Sequence, residues 1–588
     1  MEARSRFLTL GVVILLVAAC GTPPASSAPL AASAPASPAA GASLSTPATL
    51  VPSPTVAATF PAGALATTVS DRLRVRSEPR VADDSAMYKP LLPLGTTLTI
   101  VGGPVGASGY TWIEVQVEVG TLQDGVTRGW VAIADHDGTP WIARASIAGL
   151  EVATSAVRRA TADRKDAPGA AASVNAFAID AYRQLLRDPV VRLADKNGVF
   201  SPTSIMLALG MVRAGARGDT AAQMDHVLHT NGWNTLGTGL NALDQVLASR
   251  NASWTDGEDA PRQVALRVAN TTFAQRGWAI EPAFLDAVAA AFGAGVNLVD
   301  YQADPEAARK TINAWVDQRT GGRIPELLAP KNVTSLTRLY LVNAIYLKAE
   351  WDEWFSEGGT EPKTFTRLDG STVKVPTMVA YRGALTPVTP YAKGNGWQAV
   401  ELAYRSQSGR PELAMDLIIP TDLAAFEASL STKQLDGIVG ALADVRRGWS
   451  EVDCPPAYET GCYPYDLELH MPKFGIETRA SLVDLLKALG MPVAFVQGQA
   501  DFTGIHVPTD PMDHIYISDV VHQANIEVDE KGTEAAAATA VGMNTGGGPS
   551  ALKQVTLRLD HPFLFLLRDL ETGTILFMGR VVDPSIRP

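Results

Sequence analysis

The chain has 588 residues and is poor in cysteine and in basic side chains. Three cysteines are too few for a disulfide-dense scaffold. The 49 basic side chains are outnumbered by 61 acidic ones, which gives a net charge of −12. This balance argues against a nucleic-acid-binding protein, which needs a basic face. A hydrophobic content of 46% excludes global disorder, and the length predicts two or more domains.

The signatures of several common enzyme classes are also absent from the sequence. It contains no Gly-x-Ser-x-Gly elbow, no His-Glu-x-x-His zinc helix and no Gly-Lys-Ser/Thr phosphate loop. The eight histidines are scattered, and Cys454 and Cys462 lack the paired spacing of a zinc site. We therefore expect no catalytic residue, no cofactor and no metal.

The N-terminus has the pattern of a secretion signal. Two arginines precede an apolar run, Phe7 to Ala19, that is too short to span a bilayer comfortably. The run ends in Val17-Ala18-Ala19-Cys20, which resembles the bacterial lipobox. That resemblance implies cleavage after residue 19 and lipidation of Cys20, and hence an extracytoplasmic, membrane-anchored bacterial lipoprotein. The alternative is an ordinary signal peptide (residues 1–19) with an incidental cysteine.

A spacer and a small β-domain follow the signal. Residues 20–66 contain nine prolines and no charge, and this composition predicts a disordered linker. Residues 67–148 show short alternating strands separated by glycine-rich turns. They resemble a bacterial SH3-type barrel through three motifs: Leu73-Arg74-Val75-Arg76-Ser77-Glu78-Pro79, Leu94-Gly95-Thr96 and Gly129-Trp130-Val131. The resemblance implies a cell-wall ligand or, equally, a structural spacer. Residues 149–172 are predicted to be a second linker.

Residues 173–588 are expected to form one mixed α/β domain. Helical spacing begins at Asn175, and a second helix is predicted after Ser201, whose hydroxyl can cap the free amide groups. Leu339 to Leu347 is apolar except for one amide, which predicts a central strand that is covered on both faces.

The large domain resembles the serpins, a family of serine protease inhibitors, over its whole length. The matching motifs are Val199-Phe200-Ser201-Pro202-Thr203-Ser204, Gly215 to Met224, Ile312 to Val316, Thr320 to Ile324, Leu341 to Tyr346, Val520 to Thr539, Asp560 to Phe565 and Leu576 to Val581. The resemblance implies three β-sheets, about nine helices and an exposed reactive loop. It also implies an inhibitor rather than an enzyme.

A segment without proline or large side chains matches the hinge of the serpin reactive loop. The hinge residues are Glu530, Gly532, Thr533, Glu534, Ala535, Ala536, Ala537, Ala538 and Thr539. In a strand, alternation would turn charged Glu534 to solvent and Thr533, Ala535 and Ala537 inward, where only small residues fit a packed sheet. We expect Thr533 to have access to water until the loop inserts. The alternative is an alanine-rich flexible loop or helix.

The position of the scissile bond and the kind of target follow from the same resemblance. Family spacing from Gly532 gives Gly546-Gly547, within a window from Met543 to Ala551. No lysine or arginine lies between Lys531 and Lys553, so a trypsin-like target is not expected. The expected targets are elastase-like or subtilisin-like serine proteases, or papain-like cysteine proteases.

Two polar clusters are also implied by the resemblance. Ser201, Ser204, Asn343 and His522 match the serpin shutter beneath the opening sheet, and Trp351, Lys473 and Glu530 match the breach at its top. The alternative for His522 is a core histidine whose hydrogen bonds are satisfied. The alternative for Lys473 and Glu530 is a pair of ordinary surface charges. Cys454 and Cys462 lie close enough in sequence for a disulfide outside the cytoplasm.

These features predict a suicide-substrate inhibitor of extracytoplasmic proteases. The loop would form an acyl-enzyme with the target and then insert into the main sheet. The alternative is a non-inhibitory serpin that acts as a cell-surface binding or structural module.

Overall fold

The computed structural model describes residues 65–68, 70–93, 96–117, 121–123, 126–134, 140–144, 150–188, 191–256, 261–320, 324–353, 355–382, 389–448, 465–510, 513–533 and 553–587. Several predicted sites lie outside this part of the chain: Cys20, Cys454, Cys462, Glu534 to Thr539, and Gly546-Gly547. Among the described helices, none combines the length and the hydropathy needed to cross a bilayer. Strands and helices are numbered in chain order.

The described residues of an N-terminal β-domain form one seven-stranded antiparallel sheet in the order β3-β2-β6-β5-β4-β1-β7. Alternation sets its core: Leu73 and Val75 point inward while Arg74 is exposed, and they pack with Ile113 and Val131. The strands are β1 (Leu65–Thr68), β2 (Leu73–Arg76), β3 (Met87–Leu92), β4 (Thr97–Ala107), β5 (Tyr110–Val117), β6 (Arg128–Ala132) and β7 (Ile142–Arg144).

The described part of the large domain contains nine α-helices, in agreement with the sequence prediction of about nine. Ser201 caps the second helix by accepting a hydrogen bond from the Ser204 N–H, and every residue of that helix is buried. The helices are α1 (Ala167–Leu185), α2 (Pro202–Arg213), α3 (Gly218–Val227), α4 (Trp233–Ala248), α5 (Pro282–Phe292), α6 (Pro305–Thr320), α7 (Leu423–Ser429), α8 (Thr432–Gly448) and α9 (Val483–Leu489).

Within the ranges given above, the main sheet of the large domain has eight strands in the order β20-β21-β22-β13-β11-β12-β8, with β10 paired to β11. They are β8 (Glu151–Ala153), β10 (Ala252–Thr255), β11 (Pro261–Gln275), β12 (Val296–Val299), β13 (Leu339–Glu350), β20 (Phe474–Ser481), β21 (Ile517–Val528) and β22 (Gly532–Thr533). Strand β13 is central and almost wholly buried, as its apolar sequence predicts.

The described part of the large domain contains two further sheets. One has the order β14-β15-β19-β23 and the other β16-β17-β18-β24-β25-β9. Their strands are β9 (Gly198–Phe200), β14 (Glu361–Thr366), β15 (Thr372–Arg382), β16 (Tyr391–Gly394), β17 (Trp397–Ala403), β18 (Leu413–Pro420), β19 (Tyr465–Pro472), β23 (Lys553–Arg558), β24 (Phe563–Asp569) and β25 (Ile575–Val581).

The segment between the two domains packs closely on the large domain. Strand β8 pairs with β12 and so extends the edge of the main sheet. Further along, the guanidinium of Arg159 donates to the carboxylate of Asp244 on α4 over 2.6 Å. Helix α1 then begins at Ala167, before the sequence-predicted domain start at residue 173.

Candidate functional site

The main sheet is opened at one end by the short strand β22. Strands β13 and β21 are parallel neighbours from Leu339–Ile517 to Ile345–Ala524. Beyond this stretch β22 enters between them, with Thr533 opposite both Ala349 and Val528, and runs antiparallel to both strands. Strand β22 therefore already holds β13 and β21 apart at this end of the seam between them.

Gly532 is required at this position because the backbone of β13 approaches it closely. A Cβ built on Gly532 would lie 2.1 Å from the carbonyl oxygen of Ala349 and 2.8 Å from the Cα of Glu350. Backbone atoms cannot yield as a flexible side chain can, so only glycine fits where β22 starts.

Thr533 is buried, so the expectation that it has access to water before insertion is wrong. It is 1% exposed, and its hydroxyl forms a 2.6 Å hydrogen bond with the Tyr404 hydroxyl. The sequence pattern shows where the small residues begin but not how far the strand already extends into the sheet. The predicted inward direction of the Thr533 side chain agrees with this burial.

At the top of the seam, the predicted breach residues lie together. The Lys473 ammonium donates to one Glu530 carboxylate oxygen over 2.7 Å, and the Thr360 hydroxyl donates to the other over 2.7 Å. Burial opposes ionisation of Glu530, but these hydrogen bonds outweigh it and hold the pKa of the carboxyl below its usual value. The pair thus fixes the turn that joins β21 to β22.

Trp351 supports the same turn from the end of β13. Its backbone N–H donates to the Lys531 carbonyl over 2.7 Å and its indole N–H to the Asp529 carbonyl over 3.0 Å. The indole also stacks on the Tyr404 ring, with centroids 4.6 Å apart. Tyr404 therefore links Trp351 to Thr533.

The four predicted shutter residues form one buried hydrogen-bonded cluster. The Asn343 amide donates to the Ser204 hydroxyl over 2.7 Å, and the Ser201 backbone N–H donates to His522 Nε2 over 3.1 Å. Asn343 and His522 face each other across the seam and are hydrogen-bonded through Oδ1 and Nδ1. Asn270 on β11 completes the cluster by accepting from both the Asn343 amide and the Ser204 hydroxyl over 2.9 Å.

His522 is neutral in this cluster. Burial lowers its pKa from about 6.5 to about 3. Since Nε2 accepts the Ser201 N–H, the ring proton lies on Nδ1 and is donated to the Asn343 carbonyl oxygen. The cluster is thus satisfied without charge, and separating the two strands breaks one of its bonds.

Helix α6 covers the seam from the opposite side to α2. Its Ile312, Trp315 and Val316 belong to a buried cluster that includes Val342 of β13 and Val521 of β21. Because these two strands contribute to one packed cluster beneath α6, moving them apart must also disturb the packing of the helix.

Sequence reasoning missed three residues of the site: Asn270, Thr360 and Tyr404. Asn270 lies among other polar residues of β11, and its register with Asn343 becomes visible only in the folded sheet. Thr360 and Tyr404 are unremarkable in sequence and reach the site through the packing of other sheets. In the described ranges, no group of His, Cys, Asp and Glu could hold a metal ion.

Comparisons with known proteins agree with this architecture. The family model "Serpin (serine protease inhibitor)" matches residues 172–584. A serpin-like protein of Thermococcus kodakarensis is 33% identical over 416 residues, 70% of this chain and 85% of the relative. A leukocyte elastase inhibitor of Xenopus tropicalis is 32% identical over 69% of this chain and 97% of its own length. The native structure of the thermophilic serpin tengpin aligns with a TM-score of 0.57 at 23% identity, covering 73% of this chain and 97% of tengpin.

The chain belongs to the serpin family of serine protease inhibitors. The predicted serpin fold is therefore confirmed for the large domain, including its multiple sheets and about nine helices.

Proposed function

We propose that this serpin is a suicide-substrate inhibitor of extracytoplasmic proteases. The observation that carries the proposal is strand β22, which lies antiparallel between β13 and β21 and leads directly into the hinge sequence. Extending β22 would replace one parallel pairing by two antiparallel ones, which are slightly more stable per residue. Insertion would then be favourable once the loop is cut.

The register of β22 supports an inserted strand of sufficient length. Continuing the pairing of Thr533 with Ala349 along β13 brings Met543 opposite Leu339, the first residue of that strand. An inserted loop that ends near the proposed scissile bond would thus fill the seam along the whole of β13. The inward positions, Ala535, Ala537 and Thr539, are small enough for that slot.

The proposed chemistry is that of an interrupted proteolysis. The target's serine or cysteine attacks the carbonyl carbon of Gly546, and the bond to Gly547 breaks. The Gly547 amine leaves with a proton, and an acyl-enzyme remains. Insertion of the loop then carries the acylated protease along the sheet and spoils its catalytic geometry before water attacks.

The proposed target is an elastase-like, subtilisin-like or papain-like protease. The absence of lysine and arginine between Lys531 and Lys553 disfavours trypsin-like enzymes, whose pocket carries an acid. The leukocyte elastase inhibitor similarity is consistent with a serine protease as the target.

The test is incubation of the full chain with elastase, subtilisin and papain, followed by boiling in detergent. A covalent complex supports inhibition, and mass spectrometry then gives the acylated residue within 543–551. Clean cleavage without a complex would instead support the non-inhibitory alternative. Trypsin is the control, for which we expect no complex.

We also propose that Cys20 carries a lipid and that the β-domain is a bacterial SH3-like module. Lipidation would anchor the protein to a membrane on its extracytoplasmic side, since each methylene of the lipid that is buried in the bilayer contributes about 0.8 kcal/mol to membrane binding. Expression of Cys20→Ser in a bacterial host tests this, because the variant should leave the membrane fraction. Sedimentation of the full chain with purified cell wall tests a wall ligand, and no sedimentation would favour a spacer.

A further inference from the structure

A cleft of about 610 Å³ lies between the N-terminal β-domain and the large domain. Thr99 and Gln116 line it from the β-domain, and Asp244, Arg267 and Arg319 line it from the large domain. This volume lies within the range of small-molecule sites.

Two of the arginines in the cleft already have partners within the protein. Arg159 donates to the carboxylate of Asp244 over 2.6 Å. The guanidinium of Arg267 lies over the Tyr346 ring, 5.9 Å from its centroid. These two cations are therefore stabilised without a ligand.

The last turn of α6 presents polar atoms that lack such partners. The Nε of Arg319 and the Oε1 of Gln318 are buried and have no hydrogen-bond partner among the described residues. The Arg319 guanidinium is supported by the Trp315 ring, 5.4 Å from its centroid, and burial lowers its pKa to about 10. A buried donor and a buried acceptor without hydrogen-bond partners lower the stability of the fold, and a ligand in the cleft that bonded to both would remove this cost.

We propose that this cleft binds a small organic carboxylate that also carries N–H donors, such as the C-terminal end of a short peptide. The carboxylate would pair with the Arg319 guanidinium, whose planar fork matches it. A peptide N–H would donate to Gln318 Oε1, and Leu247 and Val268 would contact its apolar side chain. Products of proteolysis, with L residues, and cell-wall peptides, with D residues, share this chemistry.

Calorimetric titration of the full chain with three peptides tests the proposal. The probes are L-trialanine, the same peptide ending in D-alanine, and L-trialanine amide, which lacks the carboxylate. We expect one or both free acids to bind at millimolar concentration, and the amide to bind at least about tenfold more weakly. The preferred chirality identifies the source. Equal binding of acid and amide, or no binding of any probe, overturns the proposal.

Matched variants locate the binding. Arg319→Gln should weaken the binding of the free-acid peptide by about tenfold or more. Lys310 is an exposed charge on the same helix, so Lys310→Gln should leave binding unchanged. Thr99→Trp fills the cleft from the opposite wall and should also abolish binding. The melting temperature of each variant shows whether it is folded. Wild-type affinity in Arg319→Gln, or equal losses in both charge variants, contradicts the site.

Discussion

His522 donates its Nδ1 proton to the side-chain oxygen of Asn343 across the seam between β21 and β13. The two residues are paired in the parallel register, so they separate when a new strand enters between them. Burial keeps the imidazole neutral, and the Ser201 N–H holds its orientation from α2. One hydrogen bond between uncharged groups therefore lies directly on the proposed path of insertion.

The burial of His522 predicts an acid-sensitive stability. Its folded pKa of about 3 lies below the ordinary value of 6.5, so between these values the unfolded chain binds a proton that the folded chain does not. The free energy of unfolding should therefore fall as the pH drops below 6.5, by about 2 kcal/mol between pH 6.5 and 5. Denaturant titrations at a series of pH values measure this. His522→Gln cannot titrate and should give a flatter profile, and parallel profiles would refute the assignment.

The Lys473–Glu530 pair predicts a measurable contribution to stability. The Glu530 side chain is 10% exposed and that of Lys473 24% exposed, so removal of either partner leaves a partly buried charge. Lys473→Ala should destabilise the native form by about 2 kcal/mol, between the values for exposed and buried pairs. The control is Asp195→Asn, because the side chains of the Arg192–Asp195 pair are 66% and 59% exposed and its loss should cost less than about 0.5 kcal/mol. Thermal unfolding compares them, and similar losses would show that the breach pair has no special role.

Gly532→Ala should prevent β22 from docking as it does in the wild type. The added methyl would meet the Ala349 carbonyl oxygen at 2.1 Å, so either β22 leaves the seam or β13 shifts. We expect a loss of several kcal/mol and increased hydrogen exchange at Thr533. Gly358→Ala is the matched control, because the nearest atom to its Cβ lies 3.9 Å away. Unchanged exchange at Thr533 in Gly532→Ala would contradict the observed packing.

The sequence predicted the large-domain fold well because its signals are local or collinear. The apolar run of β13, the Ser201 cap and the order of motifs identify strands, a helix start and the family without any three-dimensional information. The four shutter positions could also be chosen from sequence, and they lie in one hydrogen-bonded cluster.

Other features depend on contacts between distant segments and left no local signal. The burial of Thr533 depends on Tyr404, which is 129 residues away in sequence. The pairing of β8 with β12 joins a segment predicted to be a linker to the edge of the main sheet. In each case tertiary packing decided the conformation, and composition alone could not reveal it.

Thr539 should contribute to the stability of the inserted form alone. Continuing the register of Thr533 by six residues brings Thr539 opposite both Asn343 and His522, on the same face of the sheet. Its hydroxyl would then replace the hydrogen bond that insertion breaks. Thr539→Val should lower the stability of the cleaved protein by about 1 kcal/mol and leave the intact protein unchanged. Denaturation of both forms measures this, and an equal effect on both would contradict the register.

The strongest test of loop insertion uses two adjacent alanines of the hinge. Thr533 is buried, so alternation turns Ala537 to the same inner face of an inserted strand and Ala536 to the opposite face, where the register of β22 brings it beside half-exposed Asn525. Ala537→Arg would force a guanidinium into a packed slot at a cost of several kcal/mol, whereas the guanidinium of Ala536→Arg would lie beside half-exposed Asn525 and reach water. Insertion would slow in the first variant while water still released the protease.

Ala537→Arg should therefore be cleaved as a substrate, and Ala536→Arg should keep most of the covalent complex. The readout is the fraction of protease that remains in detergent-stable complex at equal doses of each variant. Both variants add one positive charge, at neighbouring positions. If the charge itself hindered association with the protease, it would lower the yield of covalent complex equally in both variants. Equal yields from the two variants would rule out insertion in this register, because only the face of the strand distinguishes them.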